Sequence, residues 1–468
     1  MLHGFSSFFL QKYAFPLSSP NKFHTKHMIF SKSVVSLSPK TSRKKMTQLL
    51  EKKKAFTLLF VLCMAVLPTL AQQNVNAWLL DRFEAARSWR QVDFEAMMDT
   101  AMLNKDVDAL LKCLVVIEYN KSFGADSTAL IMVDWLLENG TNERIKGVVD
   151  YLLDTKYKLA RMQNRYDEIE EMANYLDRRW QENPDLKKKA EHWHRLAKAG
   201  RDIPPVTIRR RSDVTSLELY RQEKNRHLIN VRADVGQTKD GRFIIDTGYT
   251  SSMMLYRHAA EKIGVRLLPD STFVVSGRSP DTTYLMQMGV LDSVRIGDIT
   301  LYHLPVCISD EPVKYEADGF IGTPDLARLE YMELSQDSIT FRYPVPEKTD
   351  DVNFRMNAGD QGDRCIIMSG LLDAHPFSFL FDTGADWFIF PPRYASRKNG
   401  LYANIGGQTL WLENLFGHSF IPYEDSLGIF GSPLLMAFKK ICFNFRDSHV
   451  DYVPKEDADV MMFRVKDR

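Results

Sequence analysis

Two short segments of this chain are near copies: Phe243-Ile244-Ile245-Asp246-Thr247-Gly248 and Phe379-Leu380-Phe381-Asp382-Thr383-Gly384. Each puts one carboxylate at the end of an apolar strand. Strands of this composition are normally buried, and an ionised carboxylate there is costly unless it is paired, hydrogen-bonded or used in chemistry. In a chain of 468 residues, Asp-Thr-Gly is expected on the order of 0.1 times by chance. One copy alone can also be a plain strand ending in a turn, because all three residues are common turn formers. Two copies behind apolar triplets demand more: the two carboxylates meet.

The surroundings are repeated as well. Upstream, Leu228-Ile229-Asn230-Val231 and Cys365-Ile366-Ile367-Met368 begin strand-like runs that lead through polar turns into the two motifs. Downstream, Phe320-Ile321-Gly322-Thr323-Pro324 is echoed by Ile429-Phe430-Gly431-Ser432-Pro433. A short amphipathic run and a hairpin follow each, through Met332-Glu333-Leu334 and Ile339-Thr340-Phe341 in one half, and through Ile441-Cys442-Phe443 and His449-Val450-Asp451-Tyr452 in the other. The second half is a degenerate copy of the first, which predicts two β-rich lobes related by approximate two-fold symmetry.

This order of strand, Asp-Thr-Gly, long β-rich segment, apolar-apolar-Gly, short helix and hairpin resembles the aspartic peptidases of the pepsin and retropepsin families. The resemblance spans about residues 217–454, and each half is closer in length to one retropepsin subunit than to a full pepsin lobe. It implies a compact single-chain, two-lobe, all-β acid-protease fold that hydrolyses peptide bonds of a peptide or protein substrate with a water held between two Asp side chains. Carried over residue by residue, the catalytic pair is Asp246 and Asp382. The interlocked threonines are Thr247 and Thr383, and Gly248 and Gly384 turn the chain beneath the carboxylates. Gly322 and Gly431 sit where an apolar loop crosses behind each active-site strand. No metal or cofactor is implied.

The chemistry needs those residue types. Two carboxylates within about 3 Å cannot both ionise, so they share one proton; one then acts as base on water and the other as acid on the carbonyl oxygen. Glycine after threonine lets backbone N–H groups approach a carboxylate with no Cβ in the way.

The halves differ in length: 76 residues separate Asp246 from Gly322, and 49 separate Asp382 from Gly431. The first-lobe excess holds Phe273-Val274-Val275, a polar turn over 276–281 and Thr283-Tyr284-Leu285-Met286, a β-hairpin placed like the flap that folds over substrate in pepsin-like enzymes. Tyr284 reads either as a flap aromatic or as an ordinary strand residue. Two positions depart from the family pattern. Tyr249 stands where Ser or Ala is usual, as Ala385 does in the second motif, and Asp386 stands where a small hydroxyl residue is commoner. Tyr249 either narrows the cleft or marks a protein that kept the cleft and lost catalysis.

Residues 1–50 contain no Asp or Glu, and a new segment begins at Met46: Lys52-Lys53-Lys54, an apolar run over 55–67, then Pro68-Thr69-Leu70-Ala71. That is the three-part layout of a secretory signal peptide over 46–71. It predicts export to a periplasmic or extracellular space, with residues 1–45 a misassigned extension or, alternatively, an organellar transit peptide. A run this short predicts no stable membrane span after cleavage, with an uncleaved anchor as the alternative. Four of the five cysteines, Cys113, Cys307, Cys365 and Cys442, follow the signal, spaced as neither a metal motif nor a disulfide framework. They read as buried thiols, with room for one bridge.

Over 75–199 the chain is Gly-poor and charged, with apolar residues at helical spacing, as in Tyr166-Asp167-Glu168-Ile169-Glu170-Glu171-Met172-Ala173. Breaks at 120–124, Asn139-Gly140 and Asn183-Pro184 predict an all-α bundle or a short solenoid of helix pairs. Such a domain can pack on the protease, offer a surface to a protein partner, or serve as a removable pro-region. His192 and His194 diverge on a helix and read as surface histidines. Residues 200–216, with Arg209-Arg210-Arg211, read as an extended linker before a first lobe over 217–346 and a second over 353–456, with a tail over 457–468. A net charge of +1 gives no support to a nucleic-acid partner. Two readings stand: an exported aspartic endopeptidase, or an inactive peptide-binding scaffold that retains the cleft.

Overall fold

The computed structural model describes residues 74–87, 90–223, 228–276, 283–311, 315–347, 353–356, 364–385, 388–391, 394, 400–413, 416–417, 428–455 and 461–464. The expected signal peptide and the extension before it, the tip of the first-lobe hairpin and Asp386 lie outside the described residues.

A helical region precedes a β-rich one. Its main helices are α1 (74–87), α2 (Phe94–Leu103), α3 (Ala109–Ser122), α4 (Asp126–Asn139), α5 (Val149–Met162), α6 (Tyr166–Arg179) and α7 (Pro184–Gly200). Cap chemistry sets several boundaries. Asp93 accepts from the Ala96 N–H at 2.9 Å to start α2, and Asp108 accepts from the Leu110 N–H at 2.8 Å to start α3. Asn183 accepts from the N–H groups of Asp185 and Leu186, both at 3.1 Å, with Pro184 at the first helical position of α7. Apolar faces of α3 to α7 close one core through Leu114, Val133, Leu152, Ile169, Met172 and Trp193. That core also takes in Leu268, Met288 and Val290 from strands of the β-rich region, so the helical domain is built onto the first β-rich lobe.

On α7, Trp193 is buried and stacks on Tyr157 with ring centroids 5.1 Å apart. His194 points outward, its ring nitrogens 3.0 Å from Glu170 and 2.8 Å from Asp177 of α6. The hydrogen bond to Asp177, helped by Glu170, raises the His194 pKa. A raised folded-state value means this contact stabilises the fold fully below the unfolded value of about 6.5 and is lost as pH rises through the folded value. His194→Gln is therefore expected to flatten the decline in Tm as pH rises above about 6.5, read by thermal melts of wild type and variant side by side.

Among the described residues the β-rich region forms three sheets. In the first, Thr238–Asp246 lies between Ile229–Val235, antiparallel, and Gly319–Gly322, parallel, with Asp246 opposite Gly322. In the second, His375–Asp382 lies between Ile367–Leu372, antiparallel, and Gly428–Gly431, parallel, with Asp382 opposite Gly431. The two registers correspond strand for strand, as the internal repeat requires. A third, five-stranded sheet joins the lobes: Tyr331–Leu334 pairs antiparallel with Phe438–Asn444, flanked by Val214–Glu218 with Ser338–Arg342 on one side and His449–Pro454 on the other. One continuous core of Ile245, Ile321, Met332, Phe381, Phe430 and Phe443 runs beneath both lobes.

One segment differs from expectation. Residues 207–210 lie in the stretch that reads as a linker, yet Thr207–Arg210 pairs with Ile299–Ser309, Thr207 opposite Tyr302. The partner lies far along the chain, so nothing local marks the strand. The four cysteines are free, which removes the bridge; Cys307, Cys365 and Cys442 are buried and Cys113 half-buried. Burial pushes the Cys365 thiol up to about 12 and Cys113 up to about 11, values of unreactive thiols. The first-lobe hairpin forms as expected between Arg266–Ser276 and Thr283–Ile296, with Val275 opposite Tyr284. No helix among the described residues is long and apolar enough to cross a membrane.

Candidate active site

Asp246 and Asp382 are the last residues of corresponding strands, and both are half-buried. What brings them together begins one residue later. Thr247 and Thr383 are fully buried. The Thr247 N–H donates to Thr383 Oγ1 at 3.0 Å, and the Thr383 N–H donates to Thr247 Oγ1 at 3.0 Å. Each hydroxyl then donates onward across the lobes, Thr247 to the Phe381 carbonyl and Thr383 to the Ile245 carbonyl, both at 2.7 Å. This reciprocal set clamps the ends of the two strands with every hydroxyl used twice. Thr383→Val would orphan the Thr247 N–H and the Ile245 carbonyl together. At about 1–3 kcal/mol for each unsatisfied buried group, it is expected to lower the denaturant midpoint with the slope unchanged.

The glycines come next. The Gly248 and Tyr249 N–H groups each donate to Asp246 Oδ1 at 3.0 Å, and the Gly384 N–H donates to Asp382 Oδ1 at 2.8 Å. A Cβ on Gly248 would stand 2.3 Å from Asp382 Cγ, and a Cβ on Gly384 would stand 2.6 Å from Asp246 Oδ2. The space of each missing side chain is thus occupied by the opposite lobe's carboxyl group. The two acids face each other across the same pair of glycines, held by backbone N–H donors of the kind that favour a charged carboxylate.

Gly322 and Gly431 lie beside the acids in the parallel partner strands. At Gly322 the fit is close: a Cβ would come 2.3 Å from the Ser251 carbonyl and 2.7 Å from the Tyr249 carbonyl. Tyr249 keeps the backbone donor that the motif needs, while its ring packs toward Phe320 with centroids 6.5 Å apart. Sequence reasoning passed over the residues after the loop glycines. Buried Thr323 donates its hydroxyl to the Thr247 carbonyl at 2.9 Å and its N–H to the Tyr249 carbonyl at 3.2 Å. In the other lobe the Ser432 N–H donates to the Ala385 carbonyl at 3.0 Å. The signal was present: a hydroxyl residue followed by proline recurs after both glycines. Among the described residues no cluster of His, Cys, Asp and Glu could hold a metal ion.

Residues 231–324 match the family model described as aspartyl protease, a span that runs from the inner strand through Asp246-Thr247-Gly248 to Pro324. A crystal structure of a retropepsin-like aspartic protease from Rickettsia conorii is similar at 17% sequence identity, covering 30% of this chain and 94% of that one, with a TM-score of 0.22. No curated protein matches the sequence.

Proposed function

We propose that this protein is an exported aspartic endopeptidase whose catalytic pair is Asp246 and Asp382. The observation that carries the reading is the cross-lobe nesting: each carboxyl group fills the space above the other lobe's glycine, a Gly248 Cβ falling 2.3 Å from Asp382 Cγ. Two acids so placed share one proton and one water. The ionised member takes a proton from that water, which attacks the scissile carbonyl; the protonated member donates to the carbonyl oxygen. Collapse of the tetrahedral intermediate returns a proton to the leaving amine and restores the pair. Thr247, Thr383, Gly248 and Gly384 keep the carboxyls in register, and the first-lobe hairpin carrying Tyr284 covers the substrate. Support for export comes from residues 46–71, whose basic, apolar and small-residue sections follow the order of a signal peptide.

The test is cleavage of a mixed peptide library between about pH 3 and 7 by the purified chain, with and without pepstatin, products read by mass spectrometry. Pepstatin-sensitive cleavage is the expected result. Cleavage indifferent to pepstatin contradicts the reading, and peptide binding without cleavage favours the inactive scaffold.

A further inference from the structure

Three arginines of the β-rich region enter the helical domain. Arg355 is buried, with its guanidinium 5.0 Å from the Phe94 ring of α2. Arg328 donates to the Met162 carbonyl at the end of α5, and Arg364 pairs with Asp126 at the start of α4. Burial pushes the Arg355 pKa down to about 10, and the contact of its guanidinium with the Phe94 ring ties this segment to α2.

The other two arginines do more than anchor, because each continues into the segment just beyond the first Asp-Thr-Gly. The Arg328 Nε donates to Asp325 Oδ1 at 3.2 Å, and Asp325 Oδ2 accepts the Met253 N–H at 2.6 Å. Arg328 and Asp325 are 6% and 2% exposed, so this pair is desolvated and its geometry tightly held. From the second lobe, the Arg364 main-chain N–H donates to the Thr250 carbonyl at 2.9 Å while its side chain holds Asp126. Both routes start on the helical domain and end on residues 250–253. That stretch directly follows Tyr249, whose N–H holds Asp246. A cavity of about 280 Å³ lined by Asp126, Leu159, Met162, Ala327, Arg328 and Arg364 lies in the joint beside these polar contacts.

We propose that the helical domain is a built-in activator of the peptidase site, with Asp126 and the Met162 carbonyl holding Arg364 and Arg328 as positioning residues for the Asp246 loop. The proposal rests on the aspartic peptidase reading of Asp246 and Asp382. A removable pro-region would behave otherwise: its departure would strip Leu268, Met288 and Val290 of their core, take the Met162 carbonyl from Arg328 and take Asp126 from Arg364.

The experiment uses the full chain with Asp126→Asn, Arg364→Lys and Arg328→Lys, and Asp126→Glu as the conservative rescue. Misplacement of the catalytic loop acts on turnover more than on substrate binding. A fall in kcat of about 10–100-fold with KM within about twofold is expected for Asp126→Asn, largely restored in Asp126→Glu. Hydrogen exchange at the amides of 249–253 is expected to rise about tenfold in the same variant while Tm holds. Wild-type kcat and wild-type exchange in both Asp126→Asn and Arg364→Lys would overturn the proposal. Should Asp126→Asn fail to fold, Arg364→Lys, which keeps the charge and loses the fork, gives the same readout. Absence of cleavage in wild type would sink the peptidase reading instead, and exchange over 249–253 would still decide whether the helical domain holds this loop.

Discussion

Asp382→Asn is expected to lower kcat/KM by about 10³–10⁴-fold with little change in Tm. Asn has nearly the shape of Asp, so the Gly384 N–H keeps an acceptor and the space above Gly248 stays filled. What is lost is the ability to give or take a proton. A positioned acid or base accounts for a factor of this size, because without it the water must attack, or the carbonyl must polarise, unaided. Steady-state cleavage of one fluorogenic peptide, with thermal melts of the same preparations, measures both quantities. A variant that keeps wild-type turnover would remove Asp382 from the chemistry.

Gly248→Ala should be as damaging by another route. The added Cβ would fall 2.3 Å from Asp382 Cγ and 2.4 Å from its Oδ1, far inside contact distance. Neither side can yield freely, since the Gly384 N–H holds the opposing carboxyl and the neighbouring Thr247 is locked to Thr383. Strain of about 1–3 kcal/mol, the usual penalty of overpacking, is expected to appear as a Tm lowered by several degrees. Activity should fall to background, because the lobes can relieve the clash only by moving the acids apart. Gly147→Ala is the control: nothing lies within 4 Å of a Cβ there, and both Tm and activity should match wild type. A Gly248→Ala enzyme with full turnover would mean that the carboxyls do not nest over the glycines.

The parts of this architecture legible in the sequence are those written locally or written twice. Asn183-Pro184 announces the start of α7 because capping is settled within four residues. The paired Asp-Thr-Gly strands and the glycines at 322 and 431 were legible because each half checks the other. Contacts set by distant partners left no such trace. The Thr207–Arg210 strand pairs nearly a hundred residues away, so its two arginines, with Arg211 after them, read as a solvated connector. Arg328 and Arg364 look like ordinary surface charges until the helices are folded against them. Leu268, Met288 and Val290 alternate as strand residues should, yet the face they turn outward is covered by the helical core. The repeat predicted where the acids lie and was silent on what braces them.

In the proposed mechanism two acids, one from each lobe, act as a single unit on one water. A double-mutant cycle measures this directly, with kcat determined for wild type, Asp246→Asn, Asp382→Asn and the double variant on one peptide substrate. Groups that work as a unit are strongly non-additive, so both single variants and the double variant should fall to the same residual rate. Losses that multiply, or a single variant that keeps substantial turnover, would show two carboxylates acting separately and would contradict the account.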